Sequence, residues 1–199
     1  MSKGESTRRR IVETAAPLFN QRGFAGCSMQ DIMEATGLKK GGLYRHFSSK
    51  EELAAEAFAY TLSRALHARM DGMTPKADSV QRLREIVGHF VERPSPVPGG
   101  CPILNTAVDA DDGNEHLRQL VHEAVQDWRK RLERIIQQGI ARNEIQEDVV
   151  PRALANTIIA TLEGALMISR IDGSRTALND ARASLENLLD GITLAQDTP

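Results

Sequence analysis

A chain of 199 residues can form one large domain or a small one joined to a larger one, and its 41% apolar but only 4% aromatic content suits helices better than sheets. No continuous apolar run approaches membrane-spanning length, so a transmembrane helix is expected to be excluded, and two cysteines, Cys27 and Cys101, are too few for a disulfide scaffold or a structural zinc site and read as reduced thiols. The formal net charge of −2 is unevenly spread: residues 1–50 hold nine Lys/Arg against four Asp/Glu, a balance of +5 that leaves −7 for the rest. A basic head on an acidic body is what a module that meets phosphates would show, although many basic termini are solvated tails. Met1 to Arg10 is polar and basic and leads into no signal-peptide apolar core, so the expected location is cytoplasmic.

In chain order, Ile11, Ala15, Leu18 and Phe19 form the first helical stripe, which ends at Gly23, with Pro17 inside it expected to bend the helix or remove one hydrogen bond. Ser28-Met29-Gln30-Asp31 resembles a capping box opening a short helix that Gly37 stops in a left-handed conformation. Leu38 leads into a second short helix, Lys39–Phe47. Ser49-Lys50-Glu51-Glu52 is a second capping box, opening a long helix to about Asp71 with Leu53, Ala57, Phe58, Leu62, Ala65 and Leu66 on one face. A loop over 73–78 precedes a helix from about Ser79 to Arg93. The run Pro94-Ser95-Pro96-Val97-Pro98-Gly99-Gly100 is the strongest break in the chain. Beyond it the pattern predicts a short helix from Pro102 to about Asp109, a long amphipathic one over Asn114–Ala141, and two more over about Val150–Ile171 and Arg175–Leu194. No strand pattern or internal repeat occurs, so the expected fold is all-α.

Two short helices joined by a tight Gly37-Leu38 turn and followed by a capped long helix match a helix-turn-helix. The second short helix would lie in a major groove, presenting Lys39, Lys40, Tyr44, Arg45 and His46 outward while Leu43 and Phe47 turn into a small core. Gly41 and Gly42 each cost a helix about 1 kcal/mol relative to Ala. A bare backbone that lets DNA approach closely would justify that cost. An ordinary helical hairpin with a solvated face is the plain alternative, against which the basic head, the double glycine and the aromatic-cation cluster coincide.

The segments Arg22-Gly23-Phe24-Ala25-Gly26-Cys27-Ser28-Met29-Gln30-Asp31-Ile32, Ala35-Thr36-Gly37-Leu38-Lys39-Lys40-Gly41-Gly42-Leu43-Tyr44-Arg45-His46-Phe47 and Ser49-Lys50-Glu51-Glu52-Leu53 closely resemble the TetR family of bacterial transcriptional regulators. The likeness is dense over about residues 6–55 and architectural beyond. It implies a helix-turn-helix DNA-binding domain at 1–48 and a helical effector-binding and dimerisation domain at 49–199, about nine helices in all. It further implies that Tyr44, His46, Lys50 and the Ser28 helix end contact phosphates, while Lys39, Lys40, Gly41 and Gly42 approach base edges. Two departures are Met33, where the family has a small residue, and Lys39, where it often has a small hydroxyl residue. Met33 is flexible enough to pack, and Lys39 exchanges a helix cap for a cation near the groove.

Helix-turn-helix proteins commonly bind palindromic operators as dimers, because one recognition helix reads few bases. The last two helices offer the interface through Leu154, Ile158, Leu162, Ala165, Leu166 and Ser169 on one and Ala181, Leu185, Leu188 and Leu189 on the other, though these stripes could serve the chain's own core. A small-molecule effector would sit among the middle helices, with His67, Met70, His89, Phe90, Leu104, Val108, His122 and Trp128 as candidate lining, each equally explicable as plain core. Cys101 follows Gly99-Gly100 and precedes Pro102, so it reads either as an electrophile or oxidant sensor at a helix amino end or as a small buried hydrophobe. Switching would then be a population shift in which ligand favours a dimer with misplaced recognition helices. His116 and His122 are six apart, on different helix faces, and no metal or cofactor is expected.

No nucleophile-base motif, phosphate loop or metal spacing suggests an enzyme. A sequence-indifferent architectural DNA protein would be basic throughout. The expected function is a repressor released from a palindromic operator by a small-molecule ligand, with activation the alternative, since the sequence places DNA binding more firmly than the sign of regulation.

Overall fold

The computed structural model describes residues 2–75, 77–110 and 113–194. Among them are nine α-helices: α1 Lys3–Arg22, α2 Met29–Thr36, α3 Lys40–Tyr44, α4 Lys50–Met70, α5 Ser79–Glu92, α6 Pro102–Ala110, α7 Glu115–Ala141, α8 Pro151–Asp172 and α9 Thr176–Ile192. The fold is all-α, and a single antiparallel bridge between Ile145 and Thr193 is the β pairing among the described residues.

Side-chain caps set most of the helix starts. Ser2 and Glu5 close a capping box on α1, and Ser28 and Asp31 close the one expected on α2. Asp78 accepts from the Gln81 amide at 2.7 Å to open α5, and Asn114 from the Leu117 amide at 2.9 Å to open α7. At α4 the expected box is only half formed. Ser49 Oγ accepts from the Glu52 amide at 3.1 Å, but the Glu52 carboxylate turns to Ser48, accepting from its amide and its hydroxyl at 2.7 Å each. α1 continues through Pro17. α3 is shorter than the predicted Lys39–Phe47: beyond Tyr44 the His46 amide donates to the Leu43 carbonyl in a tighter turn of 2.9 Å. Two adjacent glycines and an N-cap residue, Lys39, that supplies no side-chain cap explain the short run.

Packing divides the chain into two compact units that differ from a cut at residue 48: Met1–Ala68 with Ser95–Ala124, and Arg69–Pro94 with Val125–Pro199. In the first, Ile11, Ile32, Leu43, Phe47 and Leu53 form a fully buried core, and Met33 packs partly buried against it. Asn20 ties α1 to the break after α5, donating to the Pro98 carbonyl at 2.9 Å, while Asn105 of α6 donates to the Asn20 and Gly99 carbonyls at 2.9 and 2.8 Å. The Phe24 amide, just past α1, donates to the Asp109 carboxylate. In the second unit α5, α8 and α9 enclose Leu83, Val87, Ile158, Leu162 and Leu189 together with Leu132 and Ile136 of α7. Gly139 lets the chain close on itself there, since a methyl at that position would lie 2.6 Å from Ile145 and 2.9 Å from Ser79.

α8 corrects one expectation. Its 22 residues include an 18-residue window of mean hydropathy 1.3, long and apolar enough by length and composition to cross a membrane, of which 33% is buried inside the chain. The helix escapes a search for continuous apolar runs because polar residues, the Asn156-Thr157 pair and Glu163 among them, interrupt it.

Candidate nucleic-acid interface

The helix-turn-helix is held from inside. Leu43 and Phe47 are fully buried, and Gly37, at φ 70° and ψ 15°, supplies the left-handed step that turns α2 into α3. This leaves Lys39, Lys40, Gly41, Tyr44 and Arg45 exposed, with Gly42 and His46 half-buried beside them. The Lys40 ammonium lies 5.9 Å from the Tyr44 ring centroid. Lys39, Lys40 and Arg45 form no ion pair among the described residues. The head's four acids are engaged elsewhere: Glu5 caps α1, Glu13 pairs with Arg9 at 2.7 Å, Asp31 pairs with Arg22 at 3.4 Å while capping α2, and Glu34 accepts from the Gln30 side-chain amide at 2.9 Å. Hydrogen bonds from the Ser28 hydroxyl and amide hold the Asp31 carboxyl below its ordinary range. The outer surface of α3 is therefore cationic and aromatic with no acid on it.

Nothing among the described residues demands glycine on that surface. A methyl at Gly41 would meet nothing within 4 Å, and at Gly42 only Leu38 at 3.7 Å, an ordinary contact. Neither glycine has the positive φ that other residues avoid. The remaining contacts sort the basic residues by job. Lys50 is half-buried with its ammonium 4.1 Å from the Phe24 ring centroid. The Ser28 hydroxyl is exposed but donates to the Asp31 carboxylate.

Arg8, which the sequence presents only as one of a basic run, is a structural hub. Its guanidinium donates to the His46 carbonyl, to Glu52 at 2.7 Å and to Glu56, and it lies 4.0 Å from the Phe47 ring centroid. It thereby ties α1 to the end of the recognition segment and to the first turns of α4. The Glu52 carboxyl, hydrogen-bonded first by Arg8 and then by Ser48, is lowered to about 2. Glu52 and Glu56 are like charges four apart on one helix face, a repulsive pair unless a cation bridges them, and that was the signal for Arg8.

Residues 11–57 match the family model for bacterial regulatory proteins of the tetR family, and residues 79–185 match that of the tetracyclin repressor-like C-terminal domain. The chain belongs to the TetR family. A solved TetR transcriptional regulator from Chloroflexus aurantiacus is 44% identical with a TM-score of 0.92, covering 98% of this chain and 100% of that one. A TetR-family regulator from Cytophaga hutchinsonii is 34% identical with a TM-score of 0.90, covering 98% and 99%. The HTH-type transcriptional repressor DhaR of Mycobacterium sp. (strain GP1) is 28% identical over 176 residues, 86% of each chain. Membership makes this TetR-family chain a transcriptional regulator.

The positions read for an effector fall in both packing units. In the first, His67 and His122 are exposed, Leu104 is half-buried, Cys101 is buried, and Val108 is 77% exposed. Val108 is thus a solvent-facing residue rather than a pocket wall, because α6 turns Ile103 and Ala110 inward instead. The first unit holds a partly open pocket of about 20 Å³, room for a single water, lined by Phe19, Asn20, Phe58, Thr61, Asn105 and Asp109 among others and by none of the sequence candidates. In the second unit Met70 is 45% exposed, whereas Phe90 and Trp128 stack with ring centroids 5.8 Å apart, and the neighbouring His89 donates from Nδ1 to the Arg69 carbonyl at 2.7 Å. Groups of three or more His, Cys, Asp or Glu able to hold a metal do not occur among the described residues.

Most of the stripe read as the dimer interface is buried within the single chain, the alternative its periodicity left open, while Leu188 of that stripe is 37% exposed. Leu154, Ile158, Leu162, Ala165, Leu185 and Leu189 are each no more than 7% exposed within the single chain, and Leu166 is half-buried. α8 is apolar on more than one side, and periodicity picked its inward face. The apolar surface left outside is Met167, Ile168 and Ile171 of α8 with Leu188 of α9, and methyls at Gly164 and Gly191 would meet nothing within 4 Å.

Proposed function

We propose that this TetR-family chain is a repressor that binds a palindromic operator as a homodimer and is released from it by a small-molecule effector. One observation carries the reading: the outer surface of α3 is exposed, cationic and bare of side chains at Gly41 while its inner face is locked by Leu43 and Phe47. A duplex accounts for all of these at once, since phosphates attract the cations and a groove needs close backbone approach. Lys39, Lys40, Gly41 and Gly42 approach bases, and Tyr44, Arg45, His46, Lys50 and the α2 end at Ser28 position the backbone. Because Ser28 Oγ is engaged with Asp31 and Lys50 with Phe24, these two contribute less than Tyr44 or Arg45.

Dimerisation uses the exposed apolar surface of α8 and α9, where Gly164 and Gly191 allow close helix approach. That partner also gives the membrane-length apolar segment of α8 a second burial site within protein. α4 couples the two events, carrying Lys50 in its first turn and Arg69 in its last. The protein works in the cytoplasm, where the operator is. Burial of the Cys101 thiol withholds it from oxidants and electrophiles, so small-molecule release is favoured over switching through Cys101.

Selection of bound duplexes from a random pool tests the reading. It should enrich a palindrome with half-sites about one helical turn apart or slightly more. Retention of duplexes without sequence enrichment would leave only a non-specific DNA binder.

A further inference from the structure

We propose that Arg69 reads the anion of the effector, and that the effector is a small monocarboxylate with an apolar or aromatic body. This rests on the reading above that a small molecule regulates the chain. Arg69 lies in the last turn of α4, with its guanidinium carbon 4.0 Å from the Phe90 ring centroid; Phe90 is 4% exposed and stacks on Trp128. Its Nε is shielded from solvent and has no hydrogen-bond partner among the described residues. A charged N–H taken from water ordinarily recovers that loss from an acceptor, and a π face alone cannot supply one.

The neighbouring groups are already committed. His89 donates to the Arg69 carbonyl at 2.7 Å, and Arg93 donates to the Asp71 carbonyl, so both close the C-terminal end of α4. Among the acids of this region, Glu85 accepts from the Thr74 amide at 3.0 Å and Glu92 from Arg182 at 2.5 Å. No carboxylate among the described residues pairs with Arg69. Its guanidinium instead faces the Phe90 ring.

The chemistry of the partner follows. The Nε–H edge of a guanidinium, with an adjacent Nη–H, matches the two oxygens of a carboxylate. A site flanked by Phe90 and Trp128 favours a singly charged group on an apolar body over a dianionic phosphate, whose desolvation costs more.

The chain's single tryptophan, Trp128, reports on this site directly. Full-length protein titrated with 1-naphthaleneacetate and with decanoate should show saturable changes in tryptophan fluorescence. The matching neutral amides should bind about tenfold or more weakly, the loss expected for one charge-assisted hydrogen bond. Arg69→Gln should abolish the preference for acid over amide, and Arg69→Lys should keep part of it. Equal binding of acids and amides by the natural protein, which needs no variant to fold, would overturn the proposal. So would undiminished discrimination in a folded Arg69→Gln protein, or no response to either acid. Adding the same probes to the protein–operator complex separates the two readings. Acids that bind without releasing DNA would contradict effector-driven release and leave the Arg69 site standing. Release by a neutral molecule while acids fail to bind would do the reverse.

Discussion

Arg8 sits in a run of three arginines, yet its guanidinium is committed to the protein through the His46 carbonyl, Glu52, Glu56 and the Phe47 ring. Arg8→Ala should destabilise the chain by about 2 kcal/mol, the scale of losing several charge-assisted hydrogen bonds at a half-exposed site, and thermal unfolding would measure it. Glu52 makes this contact pH-dependent. Its folded pKa of about 2 lies below the ordinary 4.5, so its stabilisation is complete above about 4.5 and is lost as pH falls towards 2. The difference in unfolding midpoint between the natural protein and Glu52→Gln should therefore shrink over that window; a constant difference would mean Arg8 does not hold this carboxylate. Gly41 makes the opposite case, a position where a methyl would meet nothing within 4 Å and where the proposed duplex, not the fold, calls for glycine. Gly41→Ala should leave stability unchanged or raise it by up to about 1 kcal/mol. Operator affinity should fall at least severalfold in the same protein, as a direct titration would show.

At the scale of elements, α8 has two apolar faces and only one is needed by the chain. Ile168→Glu on the outer face should shift sedimentation from dimer to monomer at micromolar concentration while leaving helicity intact, because the residue is 45% exposed in the single chain. A dimer that survived would move the interface elsewhere. This element also shows what patterning can and cannot deliver. Ser28 and Asp31, Gly37, Asp78 and Asn114 act within three or four residues of themselves, so helix starts and the turn between α2 and α3 were readable from adjacent letters. The two faces of α8 were not separable, since both repeat with helical periodicity and what distinguishes them is which neighbour arrives. The Glu52 carboxylate left its expected partner for Ser48 and Arg8 for the same reason, a competitor 44 residues away. The exposed face of α3 was legible because it needs no neighbour in the chain. The grouping of Arg69, Phe90 and Trp128 was only half visible: both rings stood out as lining candidates, but not the guanidinium set against one of them.

For the whole molecule, the +5 head and the −7 remainder oppose each other, so attraction to DNA must come from a local surface and not from net charge. The salt dependence of binding counts the phosphates that surface neutralises, with a slope of about −0.9 per contact. The central claim is that the exposed side of Lys39–Phe47 both positions and reads a duplex, and operator affinity measured across a salt series for paired variants tests it most directly. Tyr44→Phe and Arg45→Gln should weaken enriched and scrambled duplexes alike, the arginine change also flattening the salt slope by about one. Lys39→Ala and Gly42→Ala should instead change which sequences are preferred. If all four variants bound DNA as the natural protein does, the surface of α3 would not be the reader of the duplex.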